Sequence, residues 1–179
     1  MSIKQSELIL NPDGSIYHLN LKPEHLAPIV ITVGDPDRVD HVSRHFDSIE
    51  LKVQKREFKT HTGVYNKQRI TVISTGIGSD NIDIVLNELD ALVNIDFETR
   101  SVKSDLTSLK IIRIGTSGAL QPDIAVDSFL LSSYALDING MLQSYQIKNI
   151  QHPDLEAAFC QHTNWDTERA KPVVVKNSK

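Results

Sequence analysis

Apolar residues along this chain follow two rhythms. Short, nearly unbroken runs rich in β-branched residues predict strands at 29–33 (IVITV), 70–73 (ITVI), 111–114 (IIRI) and 129–131 (FLL). A further run, 173–175 (VVV), stands close to the C-terminus. Runs of this kind suit strands buried on both faces, as in a mostly parallel α/β sheet. Between them the spacing lengthens. From Asp80 onward Ile82, Val85, Leu86, Leu89, Leu92 and Val93 recur at steps of three and four, which predicts an amphipathic helix capped by Ser79 or Asp80. Shorter helices are predicted over 37–46, behind Pro36, and over 154–162, behind Pro153 with Leu155, Ala158 and Phe159 along one side. Residues 53–73 read as two strands joined near Asn66-Lys67. Residues 94–110 mix both charge signs without a period and read as a solvated connection. With no internal repeat and no domain-sized linker, the expectation is one α/β domain over 1–179, with a mixed, mostly parallel central sheet flanked by helices.

The run at 173–175 is awkward in that scheme. A buried strand needs a neighbour and a covering layer, and only four residues follow. Either it lies on the surface, or the chain is the front part of something longer.

Composition narrows the function classes. Of 179 residues, 40% are apolar and 23% charged, which excludes wholesale disorder. Nineteen basic against 23 acidic residues leave a net charge of −4, unsuited to a dedicated nucleic-acid binder. Cys160 is the only cysteine, so neither an intrachain disulfide nor a thiolate zinc site is available. The first ten residues have no long apolar core, and no stretch reaches the ~18 apolar residues of a spanning helix. These features lead to the expectation of a soluble protein of a reducing compartment, the cytoplasm.

In open α/β sheets, ligands bind beyond the carboxyl ends of the strands, and three predicted strand ends carry unusual residues. The first reads Gly34-Asp35-Pro36-Asp37-Arg38. Gly34 allows a close backbone approach, the following helix offers free N–H groups to an anion, and Arg38 reaches the same place. A plain strand-to-helix turn with a surface arginine fits equally. The second, Ser74-Thr75-Gly76-Ile77-Gly78-Ser79, resembles a loop for phosphate or sugar but matches neither the Walker pattern nor the dinucleotide fingerprint. The third carries the sharpest signal: Arg113 sits inside an apolar run, followed by Gly115-Thr116-Ser117-Gly118. A desolvated guanidinium must be paired, and arginine with hydroxyls and open backbone suits a tetrahedral oxyanion. The alternative is an ion pair with an acid such as Asp35.

Other groupings are bland. His41 and His45 are four apart on a predicted helix, without a third metal ligand in view. Gly-x-Ser-x-Gly is absent, and Trp165 reads as a packing or loop residue. Lys52, Lys55, Arg56 and Lys59 read as a solvated strand face that could present one arginine to a site elsewhere.

Taken together, the motifs resemble the nucleoside phosphorylase family, in its uridine phosphorylase branch. The matching segments are Tyr17-His18-Leu19, Gly34-Asp35-Pro36-Asp37-Arg38-Val39, Arg56-Glu57-Phe58, Ser74-Thr75-Gly76-Ile77-Gly78, and the ten residues from Arg113 to Pro122. Their order from 17 to 122 makes the resemblance specific, and it loosens beyond Leu136. It implies a glycosyltransferase of the pentosyltransferase type acting in nucleoside catabolism and pyrimidine salvage. The reaction would convert uridine and inorganic phosphate reversibly to free base and ribose 1-phosphate, without an organic cofactor. Purine nucleoside phosphorylase, a nucleosidase, or a non-catalytic phosphate-binding fragment are the alternatives. By the resemblance, Gly34, Arg38, Arg113 and Thr116 would hold the phosphate, with Arg38 and Arg113 catalytic. Arg56 would reach a neighbouring subunit's phosphate, and His18 a neighbour's ribose 5′-hydroxyl. Ser117 and Gly118 would lie near sugar and base. Glu57 and Ile77 match positions for a monovalent cation, K+, between subunits, although Asn81 stands where the family has serine. Self-association into dimers and a hexamer would complete the site.

The family's later segments, which grip the ribose hydroxyls and read the base, have no match after Leu136. Gln161 and Arg169 have suitable side chains but not the context. The fold is therefore expected to be nucleoside-phosphorylase-like with its C-terminal part missing, and the chain inactive or badly impaired alone.

Overall fold

The run at 29–33 forms β1 (Ile29–Val33), which lies between β4 (Gln68–Ser74) and β7 (Lys110–Arg113) and is parallel to both. Beyond β4, β3 (Phe58–Tyr65) and β2 (Ser48–Lys55) run antiparallel, giving one five-stranded mixed sheet in the order β2-β3-β4-β1-β7. The computed structural model describes residues 2–177. The chain divides into two units, 1–116 and 117–179, and this sheet belongs to the first.

Alternation along the strands sends side chains to two apolar clusters. Val30 and Ile73 join Leu19, Leu21, Val85, Leu89 and Leu92, so one face is covered by α2 (Ser79–Asn94) and the N-terminal segment. Val33 and Val72 face the other way and meet Val39 of α1 (Asp37–Ser43). The turn at Asn66-Lys67 joins β3 to β4 with φ of 47° and 64°, the paired left-handed conformation that lets a two-residue hairpin follow strand twist. The predicted hairpin is thus part of a three-stranded meander, β2-β3-β4.

Several expectations are corrected. The helix starting at Ser79 follows Gly78, with φ 108°, and no side chain caps it, neither Ser79 nor Asp80. The helix at 37 stops at Ser43, three residues short of its expected end. The connection over 94–110 contains a small ladder, β5 (Ile95–Asp96) with β6 (Ser101–Val102). β7 is not buried on both faces: as the sheet's edge strand it leaves Ile111 43% and Ile112 52% exposed. Residues 129–131 form no strand, and Phe129 and Leu131 are fully or nearly fully exposed.

In the second unit, β8 (Tyr134–Asp137) pairs antiparallel with β9 (Val173–Lys176). This resolves the awkward run at 173–175: its neighbour comes from earlier in the chain, and Val173 and Val174 are buried. The covering layer is α3 (Pro153–Thr163), whose Glu156 is buried and accepts the Val174 N–H at 3.0 Å. Lys171 Nζ lies 3.6 Å from the other Glu156 oxygen, supplying the countercharge that a buried carboxylate requires.

Candidate functional site

Parallel pairing of β1 with β4 and β7 places three carboxyl ends on one sheet edge. The register sets Val33 beside Ser74 and Thr32 beside Arg113. The ladder continues past the strands, with Thr75 N–H donating to Val33 O at 2.8 Å and Ile114 N–H to Thr32 O at 2.9 Å. Gly34, Gly76 and Arg113 therefore meet. A methyl group on Gly34 would stand 3.3 Å from Arg113 Nη2 and 3.9 Å from Gly76 O, so the absent side chain is what admits the guanidinium.

Arg113 is exposed, and its Nη1 donates to Ile114 O at 2.7 Å. The ion pair with Asp35 is not formed; Asp35 turns instead to its own helix, accepting the Asp37 N–H at 2.9 Å. Arg38 approaches from α1, with Nη2 3.4 Å from Thr116 Oγ1. Gly34, Arg38, Arg113 and Thr116 are thus gathered by side-chain contacts and strand register. Among the described residues neither arginine makes an ion pair, so two free guanidiniums share this edge. The expectation about the helix end is corrected. The first N–H groups of α1 are taken up by Asp35 Oδ1, Asp35 O and Pro36 O, leaving side chains to hold an anion.

The remaining candidates lie elsewhere. Arg56 is in the β2–β3 turn with φ 55°, exposed and unpaired among the described residues. Its neighbour Glu57 packs against Gly76, where any Cβ would come within 2.8 Å of Glu57 Cγ and 2.6 Å of Asn81 Nδ2. Ile77 is 94% exposed, and its carbonyl accepts the Asn81 amide at 3.3 Å. His18 is partly buried on the N-terminal segment, its Nδ1 2.6 Å from Glu88 Oε1 on α2. Ser117 and Gly118 open the second unit in exposed, irregular chain. His45 Nε2 meets Arg44 Nε at 3.2 Å, and no group of three metal-ligating side chains occurs among the described residues.

With this edge described, sequence and structure comparisons bear directly on it. Residues 28–166, which include β1, α1, the strand ends and the Arg113 segment, match the model of the phosphorylase superfamily. The chain belongs to that superfamily. Within it, the chain is 33% identical over 150 residues to uridine phosphorylase of Thermococcus kodakarensis, covering 82% of this chain and 48% of that protein. It is 31% identical to guanosine phosphorylase of Halorubrum lacusprofundi, covering 76% and 50%. The crystal structure of Trypanosoma brucei nucleoside phosphorylase, described as showing uridine phosphorylase activity, superposes with a TM-score of 0.79 at 31% identity, covering 94% of this chain and 57% of that one. The chain spans about half the length of the curated relatives it matches.

Sequence reasoning missed the residues that fix the N-terminal segment at His18 and that tie down α1. Glu88 left no signal beyond being a polar position on an amphipathic helix. The basic cluster has the spacing of a solvated strand face, yet Lys55 Nζ donates to Asn11 Oδ1 at 3.0 Å and to Tyr17 O, tying down the N-terminal segment beside His18. Lys59 pairs with Asp40 of α1.

Proposed function

We propose that this chain carries the phosphate-binding part of a nucleoside phosphorylase that cleaves uridine reversibly to uracil and ribose 1-phosphate. The observation that carries the reading is the meeting of Arg38, Arg113, Thr116 and Gly34 at one sheet edge, with both guanidiniums free of carboxylates. Phosphate held there as a dianion would be oriented by the two arginines, with the Thr116 hydroxyl donating to a third oxygen. In the reaction a phosphate oxygen bonds to the anomeric carbon as the bond to the base nitrogen breaks. The bonding pair leaves with the base, and the proton given up by the attacking hydrogen phosphate ends on the base nitrogen, so the products are uracil and ribose 1-phosphate. Positive charge develops on the ribose in between, beside the phosphate's negative charge. Fixing the nucleophile in this way supplies orientation and electrostatic stabilisation without a covalent enzyme intermediate. No organic cofactor enters these steps.

Arg56, exposed on its turn, and His18 suit the roles of groups lent to a neighbouring subunit, and with them a cytoplasmic homo-oligomer of dimers built into a hexamer. Ser117 and Gly118 would face sugar and base. The superfamily match runs through both units, which supports reading them as parts of one phosphorylase domain. The K+ position fits poorly: Glu57 offers a carboxylate, but the Ile77 carbonyl already receives the Asn81 amide. No step above depends on the ion.

Purine nucleosides are the second reading, favoured by the guanosine phosphorylase at 31% identity. The test is phosphate-dependent base release from uridine, thymidine, inosine and adenosine, read by chromatography with and without phosphate. Uracil released only with phosphate supports the proposal, and hypoxanthine or adenine supports the second reading. Release without phosphate points to a nucleosidase. No release from a folded chain that still binds phosphate leaves a non-catalytic phosphate-binding unit.

A further inference from the structure

We infer that His61 is a positioning residue for the candidate phosphate site, acting through Ser43 and Asp40 on the short helix that carries Arg38. The inference rests on the reading of Arg38 as a phosphate ligand.

α1 has seven residues, fewer than a helix needs to persist by its own propensity, so tertiary contacts set its position. Three contacts do so. Val39 is fully buried against Val33 and Val72. Ser43 Oγ, buried at the helix C-terminus, lies 2.8 Å from His61 Nδ1, itself buried in the middle of β3. Asp40 pairs with Lys59, two residues before His61 and on the same face of β3, and its Oδ1 lies 4.0 Å from His61 Nδ1. Arg38, Val39 and Asp40 are consecutive, so a shift of α1 against β3 moves the Arg38 guanidinium away from Thr116.

The charged groups facing His61 are Asp40 from α1, Lys59 from β3 and Lys52 from β2, which pairs directly with His61 across the ladder. Burial lowers the ring's pKa from its ordinary value, and the two lysines act the same way against the opposing pull of Asp40. A neutral ring serves the Ser43 hydroxyl in either tautomer. Protonation would place a cation 4.0 Å from the Asp40 Oδ1, on the same strand as Lys59, which contacts Asp40 Oδ2, and would add to the tie between α1 and β3.

The experiment follows the Arg38 side-chain 15Nε resonance and the amide exchange of residues 39–43 in the full chain. Ser43→Ala removes one hydroxyl. His61→Phe removes the ring's hydrogen bond but keeps its bulk, and His61→Asn keeps a polar group near the Nδ1 position. Ser43→Ala and His61→Phe are expected to move the Arg38 resonance and raise exchange over 39–43 at least about tenfold while α2 is unchanged, with His61→Asn restoring most of both. Should His61→Phe not fold, Ser43→Ala decides. An unmoved Arg38 resonance with unchanged exchange in Ser43→Ala overturns the inference. A wild-type Arg38 resonance that ignores added inorganic phosphate overturns the ligand reading, and with it this role, while the anchoring of α1 is still read independently.

Discussion

Glu88 Oε1 lies 2.6 Å from His18 Nδ1, and the same carboxylate accepts the backbone N–H groups of His18 and Leu19 at 2.9–3.1 Å. One side chain on the third turn of α2 thus fixes a histidine seventy residues away in sequence. The carboxylate is largely shielded, so these are charge-assisted bonds in a partly dry setting.

Glu88→Gln keeps the shape but loses the charge and one acceptor oxygen. It is expected to destabilise the chain by about 1–3 kcal/mol, measured by denaturant unfolding. It should also free the ring of His18, seen as faster exchange of the His18 and Leu19 amides.

Arg113→Ala removes one of the two free guanidiniums at the strand ends. Phosphate affinity is expected to fall by about 2–3 kcal/mol, or roughly 30- to 150-fold, read by calorimetry. Because β7 is an exposed edge strand and Arg113 makes no ion pair among the described residues, the fold should be spared, with an unchanged unfolding midpoint. Loss of stability with phosphate affinity intact would make Arg113 a structural residue.

Gly63→Ala should be among the most damaging single changes in the sheet. A Cβ there would lie 2.2 Å from Ser48 O, 2.8 Å from Phe46 Cδ2 and 3.2 Å from Ile49 Cα, and the first and last of these are backbone atoms paired to β3. Overpacking that forces the backbone apart costs about 3 kcal/mol or more. The check is the denaturation midpoint, with Gly118→Ala, where the added methyl meets nothing within 4 Å and φ is not in the left-handed range, as the clash-free control.

Stability should fall on mild acidification. Burial, with help from Lys52 and Lys59, lowers the His61 pKa below its ordinary value. The unfolded chain takes up this proton near pH 6.5, before the native chain does. The contribution is therefore full above about pH 6.5 and lost as pH falls from there toward the lowered native value. Asp40, lowered chiefly by its hydrogen bond from Lys59, adds a second loss only at still lower pH. Unfolding midpoints measured from about pH 8 to pH 5 should slope downward below about pH 6.5 in the wild type and flatten in His61→Asn.

The strands at 29–33, 70–73 and 111–114 and the helix from residue 79 were legible because each carries its own apolar rhythm, a local property. The strand ends were legible for a related reason: Gly34, Gly76 and Gly115 sit where the runs stop, and glycine there marks a close approach whatever lies opposite. Residues 129–131 misled because a short run of Phe and Leu reports a tendency to be buried, not the presence of a partner, and among the described residues no strand pairs with them.

By itself, then, the sequence determined the α/β class, four of the five strands of the central sheet and the three strand ends beside which Arg38, Gly76 and Arg113 stand. What only tertiary structure decided was pairing across distance. β9 takes β8 as its neighbour, Arg113 stays free of Asp35, Glu88 holds His18, and Ser43 and Asp40 fasten α1 to β3. Each is a contact between positions whose own surroundings in the chain say nothing about each other. Hydrophobic periodicity is fixed by the geometry of a single element, whereas a hydrogen bond or ion pair depends on where two elements are packed.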